Sequence, residues 1–466
     1  MGFADPVFLF YFLPAALVVH AVAVRAARGR CYGTCAQIVL LILTLIFYGY
    51  HHPWWIAPFL ITAGVDYAAA IGIARSRVPA VRRVALGIAI AQNLGTLAFF
   101  KYSGAIGAAS GTGWLVPAGI SFYTFEALSF VIDVYRGQIA PPRELWRYLG
   151  FLGQFPRFLA GPIVRFQPIA AQFDAYPGMR IERGLAQFIG GLFLKIGFAD
   201  QFGYFARYAF DRPGAISVVA AWLGVAAFSL QLYFDFQGYS TMACGLGLCF
   251  GFEFGGNFDR PYLAASVTDF WRRWHISLGH WIRDYVFTPL ALRAGRWGSW
   301  TLYPVILVTL VLFGWWHGPS PKFLLMGLWF GAVMCAEQAL SPRRLPTVAG
   351  RAVTGAVVMS GWVLFRARDL GEAGKILSAM WLGGRGHPPF QAGAFAANPI
   401  ASALCAAGLV YCFALEGDRR WAIAGSEARP FAPVALARAL GAALLLVLSL
   451  LLGLSAPVVP FLYFQF

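Results

Sequence analysis

Histidine is out of place in a strongly apolar stretch, and this sequence puts two of its seven in such surroundings. His317 closes the run Gly314-Trp315-Trp316-His317-Gly318 after a long apolar segment, and His275 lies within the polar and aromatic stretch 231–290. An imidazole can take the proton of an alcohol near neutral pH and return it to a leaving thiol, which is the proton traffic of hydroxyl acylation. Trp315 and Trp316 are placed to keep water from such a centre. Gly318 would let a reacting carbonyl come close. On position alone, a single histidine in a span is more often a hydrogen-bonding group between helices than a catalyst.

The stretch 231–290 also carries Asp235, Asp259, Asp269, Arg272, Arg273, His280, Arg283 and Asp284. Ionisable side chains at membrane depth are costly, so they face a cavity, pair with one another, or do chemistry. The glycines and Pro261 interrupt helical continuity, and non-helical backbone at this depth is tolerated only inside protein or beside water. This predicts a segment folded back into the core. A helix over 269–285 would make Asp269 and Arg273 i,i+4 neighbours, able to pair beside His275. The plainer reading is a set of ion pairs that anchor a short helix at the cytoplasmic edge. Arginines there could also hold the phosphates of an acyl donor.

The elements that must position these residues are membrane helices. Hydrophobic residues make up 59% of the 466, charged residues 12%, and the mean hydropathy is +0.65. A soluble domain usually carries about twice that charge fraction. Runs near the roughly 20 apolar residues needed to span a bilayer occur near 6–24, 36–50, 53–74, 84–100, 114–134, 184–206, 214–234, 300–316, 323–340, 351–365, 398–415 and 434–454. The first run lacks the basic flank of a secretory signal. The net charge of +16 falls in alternate loops. Arg25, Arg28 and Arg30 follow the first run, and Arg75, Arg77, Arg82 and Arg83 the third; Arg136, Arg143, Arg147, Arg343, Arg344, Arg351, Arg419 and Arg420 continue the pattern. That placement predicts an extracytoplasmic N-terminus and loops at 25–35, 75–83, 136–147, 341–351 and 416–433 in the cytoplasm. Aromatic residues sit in apolar runs rather than on a basic surface, which excludes a nucleic-acid partner and leaves anionic lipid as the partner of these charges. The seven cysteines have neither disulfide-framework nor metal-site spacing.

Four stretches give the sequence a resemblance to the membrane-bound O-acyltransferase family: PAGISFYTFEALSFVIDVYRG at 117–137, FPRFLAGPIVRF at 155–166, YFDFQGYSTMACGLG at 233–247 and SVTDFWRRWHISLGHWIRDYVFTPL at 266–290. WWHG at 315–318 follows at a suitable distance, and the ending PFLYFQF at 460–466 is similar to the bacterial alginate O-acetylating branch. The resemblance implies one all-α polytopic membrane domain over 1–466, a ring of about 10–12 tilted spans with re-entrant core segments and a central tunnel. Its parts would be N-terminal spans over 1–100, a catalytic core over 114–320 and C-terminal spans over 321–466. The family's catalytic histidines match His317 and His275, with Asp269, Arg273, Trp274, Trp316 and Asp235 as supporting residues. It further implies an acyl thioester such as acetyl-CoA as donor, no permanently bound cofactor or metal, and a bacterial inner-membrane location. The acceptor would be an extracytoplasmic polysaccharide, reached directly or through an SGNH-type periplasmic or membrane-anchored partner. A transporter for a lipid-linked sugar also accommodates buried charges and broken helices, although no inverted repeat is visible; a scaffold subunit is the third alternative.

Overall fold

A computed structural model describes residues 1–27, 31–107, 116–211, 216–340, 346–384, 398–415 and 433–455, with Val459, Phe461 and Leu462. Arg28, Arg30, Arg343, Arg344, Arg419, Arg420 and most of the PFLYFQF ending lie outside the described residues. Among those described the elements are helices, with no strand. Seven helical stretches are long and apolar enough to cross a membrane: Phe8–Ala26, Tyr32–Gly49, Pro53–Arg75, Pro79–Tyr102, Val218–Cys249, Ser299–His317 and Thr347–Arg366. Shorter apolar helices cover Pro399–Ala414 and Leu440–Leu454. The chain is thus an all-α, multi-pass membrane protein.

It divides into two compact units. The first comprises Met1–Phe188 and Ser240–Gly256. Its helices are α1 (Leu13–Ala26), α2 (Cys31–Gly49), α3 (Ile56–Arg75), α4 (Pro79–Gly107), α5 (Ile120–Tyr135), α6 (Leu145–Leu152), α7 (Phe166–Asp174) and the start of α8 (Ile181–Phe193). The run expected to span at 114–134 contains α5, a 16-residue helix with 14 residues buried. A helix covered on all sides is a core element, and α5 uses that position to hold Glu126 against Arg157. Both side chains are buried and ion-paired. Arg157 also donates to the Phe151 carbonyl and, at 3.1 Å, to Gln154 Oε1, while Glu126 accepts the Val164 amide at 3.0 Å. The segment FPRFLAGPIVRF is therefore fastened to α5 at both ends of its turn.

The second unit comprises Ile189–Tyr239 and Asn257–Phe466. Its helices are the rest of α8, α9 (Asp200–Phe210), α10 (Val218–Cys249), α11 (Val267–Arg273), α12 (Ile276–Ile282), α13 (Thr288–Ala294), α14 (Leu302–His317), α15 (Pro321–Ala339), α16 (Thr347–Arg366), α17 (Leu370–Ser378), α18 (Pro399–Val410) and α19 (Pro433–Ser455). Residues 250–298 hold only short helices, none long enough to span.

Two expectations are corrected here. The glycines of YFDFQGYSTMACGLG do not end the helix, since α10 runs unbroken to Cys249. They mark close helix contacts instead: a Cβ at Gly238 would lie 2.8 Å from the Gly191 carbonyl, and one at Gly245 2.6 Å from the Gly184 carbonyl. The single helix expected over 269–285 is broken at Trp274–His275, where His275 takes the left-handed backbone conformation with φ 44°. That break divides the stretch into two seven-residue helices, α11 and α12.

Candidate active site

His317 is the last residue of α14, and the chain turns through Gly318 and Ser320 into α15, where Pro321 takes the first helical turn. The two helices pack backbone to backbone, since a Cβ at Gly314 would lie 2.2 Å from the Phe323 carbonyl and one at Gly327 2.3 Å from the Leu310 carbonyl. The His317 ring is 9% exposed. Around it stand Trp316 at 4.6 Å, Phe313 at 5.0 Å, Phe365 at 5.1 Å and Phe323 at 5.9 Å between ring centroids. The tryptophans part company: Trp316 packs on His317, whereas Trp315 is 50% exposed. Gly318 is extended, a conformation open to any residue, and the space a Cβ would need is taken by the Phe323 ring at 3.0 Å. Its role is therefore to admit that ring beside the histidine.

Lys322, one turn on, is buried and donates to the carbonyls of Phe365, at 3.2 Å, and Ala367. A cation on the last carbonyls of a helix satisfies both their lone pairs and the helix dipole. It fixes the end of α16 and with it Phe365. The next residue, Arg366, lines a cavity of about 250 Å³ with Phe210, Asp211, Arg368 and Glu372.

His275 has a different neighbourhood. It is 5% exposed, with Phe236 of α10 at 4.6 Å edge-on and Asn257 Oδ1 3.1 Å from its Nδ1. Burial lowers its pKa to about 3, so the imidazole is neutral under ordinary conditions. Asn257 is buried too, and accepts from the Ser277 hydroxyl at 2.9 Å.

The preceding helix, α11, is set by its N-terminus. Ser266 caps it, accepting the Asp269 amide at 3.0 Å, and the Glu337 carboxylate takes the Val267 and Thr268 amides at 2.5 and 2.9 Å and the Thr268 hydroxyl at 2.7 Å. A carboxylate on free helix amides is favoured by both hydrogen bonding and the dipole. Glu337 belongs to α15, the helix that leaves the His317 turn, so one helix braces both histidine-bearing segments. Asp269 and Arg273 pair at 3.0 Å as their spacing required. Trp274 is buried and stacks among Phe270 at 5.5 Å, Phe258 at 5.1 Å and Trp362 at 5.1 Å. Trp362 in turn lies 5.9 Å from Phe365. Aromatic rings thus run without interruption from Trp274, beside His275, to Phe365, which packs on His317.

Asp235 is not part of this cluster. Lys195 binds it at 2.7 Å and Asp200 at 2.7 Å, and its second oxygen accepts the Leu462 amide at 2.9 Å. This is a buried charge triad that fastens the chain's last described residues. Sequence reading missed Lys195, Asp200, Asn257, Glu337 and Phe365 as contributors. Lys195, Asp200 and Glu337 are charges within apolar runs, but nothing in their spacing names their partners.

The arrangement offers two buried imidazoles joined by a wall of aromatic rings. Such a setting suits proton transfer at a centre from which water is excluded. Residues 142–359 match the model of the MBOAT, membrane-bound O-acyltransferase family. The chain is 37% identical over 407 residues to the "Probable alginate O-acetylase AlgI" of Pseudomonas putida, covering 82% of this chain and 80% of that one. It is 30% identical over 423 residues to the peptidoglycan O-acetyltransferase of Helicobacter pylori, covering 81% and 79%. Similarity to the teichoic acid D-alanyltransferase of Bacillus subtilis is 29% over 227 residues, covering 46% of this chain and 57% of the relative.

Proposed function

The chain belongs to the membrane-bound O-acyltransferase family, and we propose that it carries an acetyl group from a cytoplasmic thioester to the hydroxyls of an extracytoplasmic polysaccharide. The proposed donor is acetyl-CoA or a related acyl thioester. The acceptor is an alginate-like polymer, cellulose or peptidoglycan, reached directly or through an SGNH-type partner. The names of the relatives, which acetylate alginate and peptidoglycan, favour a polysaccharide. The observation that carries the reading is the His317 site: a buried imidazole ringed by Phe313, Trp316, Phe323 and Phe365.

In this reading His317 is the general base. It takes the proton of the acceptor hydroxyl as that oxygen attacks the thioester carbonyl carbon. The carbonyl π bond opens to a tetrahedral oxyanion, the C–S bond then breaks, and the proton held by His317 passes to the departing thiolate. An alcohol far above neutral pKa attacks poorly unaided, and a placed base typically contributes 10²–10⁴-fold. The ring of aromatics limits loss of the thioester to water. His275 serves the cytoplasmic half of the path, close in sequence to Arg260, Arg293 and Arg296.

The protein would lie in a bacterial inner membrane with its N-terminus in the periplasm and the arginine-rich loops inside. Cysteine-accessibility labelling of intact cells tests this. A cysteine placed at position 80 should be silent to an impermeant reagent added outside, and labelling there would reverse the assignment. Activity is tested with purified protein in detergent and labelled acetyl-CoA. Thioester turnover that depends on His317 supports the enzyme, whereas movement of a lipid-linked sugar in vesicles without turnover supports a transporter.

A further inference from the structure

We propose that Asn257 is a positioning residue that holds the His275 proton on Nδ1 and so presents Nε2 as the ring's proton acceptor. The inference rests on the reading that His275 acts in the acyl-transfer path.

The argument begins with the identity of the asparagine atom. The Ser277 backbone amide lies 3.3 Å from Asn257 Oδ1, and a backbone amide can only donate. The atom facing it must therefore be the oxygen, which removes the usual ambiguity of an asparagine amide. The Ser277 hydroxyl donates to the same oxygen at 2.9 Å. His275 Nδ1 stands 3.1 Å from that oxygen. An amide oxygen accepts and does not donate, so this contact is a hydrogen bond only if Nδ1 carries the proton. In a neutral imidazole the lone pair is then on Nε2.

A second observation is independent of the side-chain bond. His275 has φ 44° and ψ 54°, left-handed backbone that a non-glycine residue adopts only when its surroundings impose it. The Ile276 amide donates to the Asn257 carbonyl at 2.9 Å, directly after this residue. One asparagine thus holds both the backbone turn that presents His275 and the ring's protonation pattern. The charged groups on the elements packed around His275 are engaged with each other: Asp235 of α10 with Lys195, Asp259 with Arg260, and Asp269 with Arg273. Arg272 of α11 and His280 of α12 complete that set.

The test is the pH dependence of kcat/KM for labelled acetyl-CoA turnover by purified, full-length protein. Asn257→Ala removes the acceptor, and turnover should fall about 10–100-fold, as when the partner that orients a working histidine is lost. Asn257→Asp keeps an oxygen acceptor but adds a negative charge. A carboxylate beside an imidazole favours the protonated ring, so the acid limb of the profile should move up by about one pH unit or more while the alkaline rate recovers. Ser277→Ala cuts one bond to Asn257 and leaves that to His275; its acid limb should match wild type. Wild-type kcat/KM in Asn257→Ala, or an unshifted limb in a folded Asn257→Asp protein, would overturn the assignment. His275→Ala separates the two levels. If it keeps full turnover, the reading of His275 falls and the role of Asn257 with it. If it is inactive while Asn257→Ala is normal, only the present inference falls.

Discussion

Two buried polar centres in this molecule solve the same problem in opposite ways. In the first unit, Glu126 and Arg157 cancel one another's charge, and Gln154, Phe151 and Val164 take up their remaining hydrogen bonds. In the second unit, the polar residues of interest are histidines, met chiefly by aromatic rings and, for His275, by one amide oxygen. A charge pair that is internally complete fixes a loop and has nothing left to offer a substrate. An imidazole walled by aromatic rings stands where a base can act away from water. Buried polarity alone therefore does not mark a reaction centre in a membrane protein; the form in which it is neutralised does.

The comparison breaks first at Arg157. Removing it leaves Glu126 as a buried, uncompensated carboxylate, a change that typically costs about 3–5 kcal/mol. Arg157→Ala should sharply lower the thermal midpoint in detergent, with activity lost only in proportion to folded protein. Full stability in that variant would show that the pair is not holding the segment 155–166. An effect of middle size is expected at Glu337. Glu337→Ala takes the carboxylate from the α11 amides, worth about 0.5–2 kcal/mol for a lost cap. Because α11 leads into His275, turnover should drop further than stability, and equal losses would reduce Glu337 to a simple brace. Asp269→Ala should be mildest. Its pair with Arg273 is about one-third exposed, and such i,i+4 pairs contribute about 0.3–0.5 kcal/mol. A thermal shift as large as that of Glu337→Ala would contradict this ranking.

The sequence made some of this plain and hid the rest for physical reasons. Both histidines stood out because an apolar chain has few polar side chains to weigh. Asp269–Arg273 was readable because helical spacing alone brings i and i+4 together. The role of Asp235 was not, since its cation lies 40 positions earlier at Lys195, in the π-helical turn Leu194–Ala199 that follows α8, and only the fold brings that turn to α10. The continuity of α10 through Gly238 and Gly245 was hidden likewise, because a glycine that ends a helix and one that admits a neighbouring backbone look identical in a sequence. Asn257 sits in the unremarkable run GGNF, and its value appears only when the left-handed turn at His275 folds the chain back onto it.

Single-turnover transfer from labelled acetyl-CoA, measured for wild type and His317→Gln at matched folded concentration, bears most directly on the claim that His317 is the base. The variant should keep wild-type thermal stability and donor binding while transfer falls by about 10²–10⁴-fold. Retention of more than about a tenth of wild-type transfer, less than one decade of that range, would place the base elsewhere.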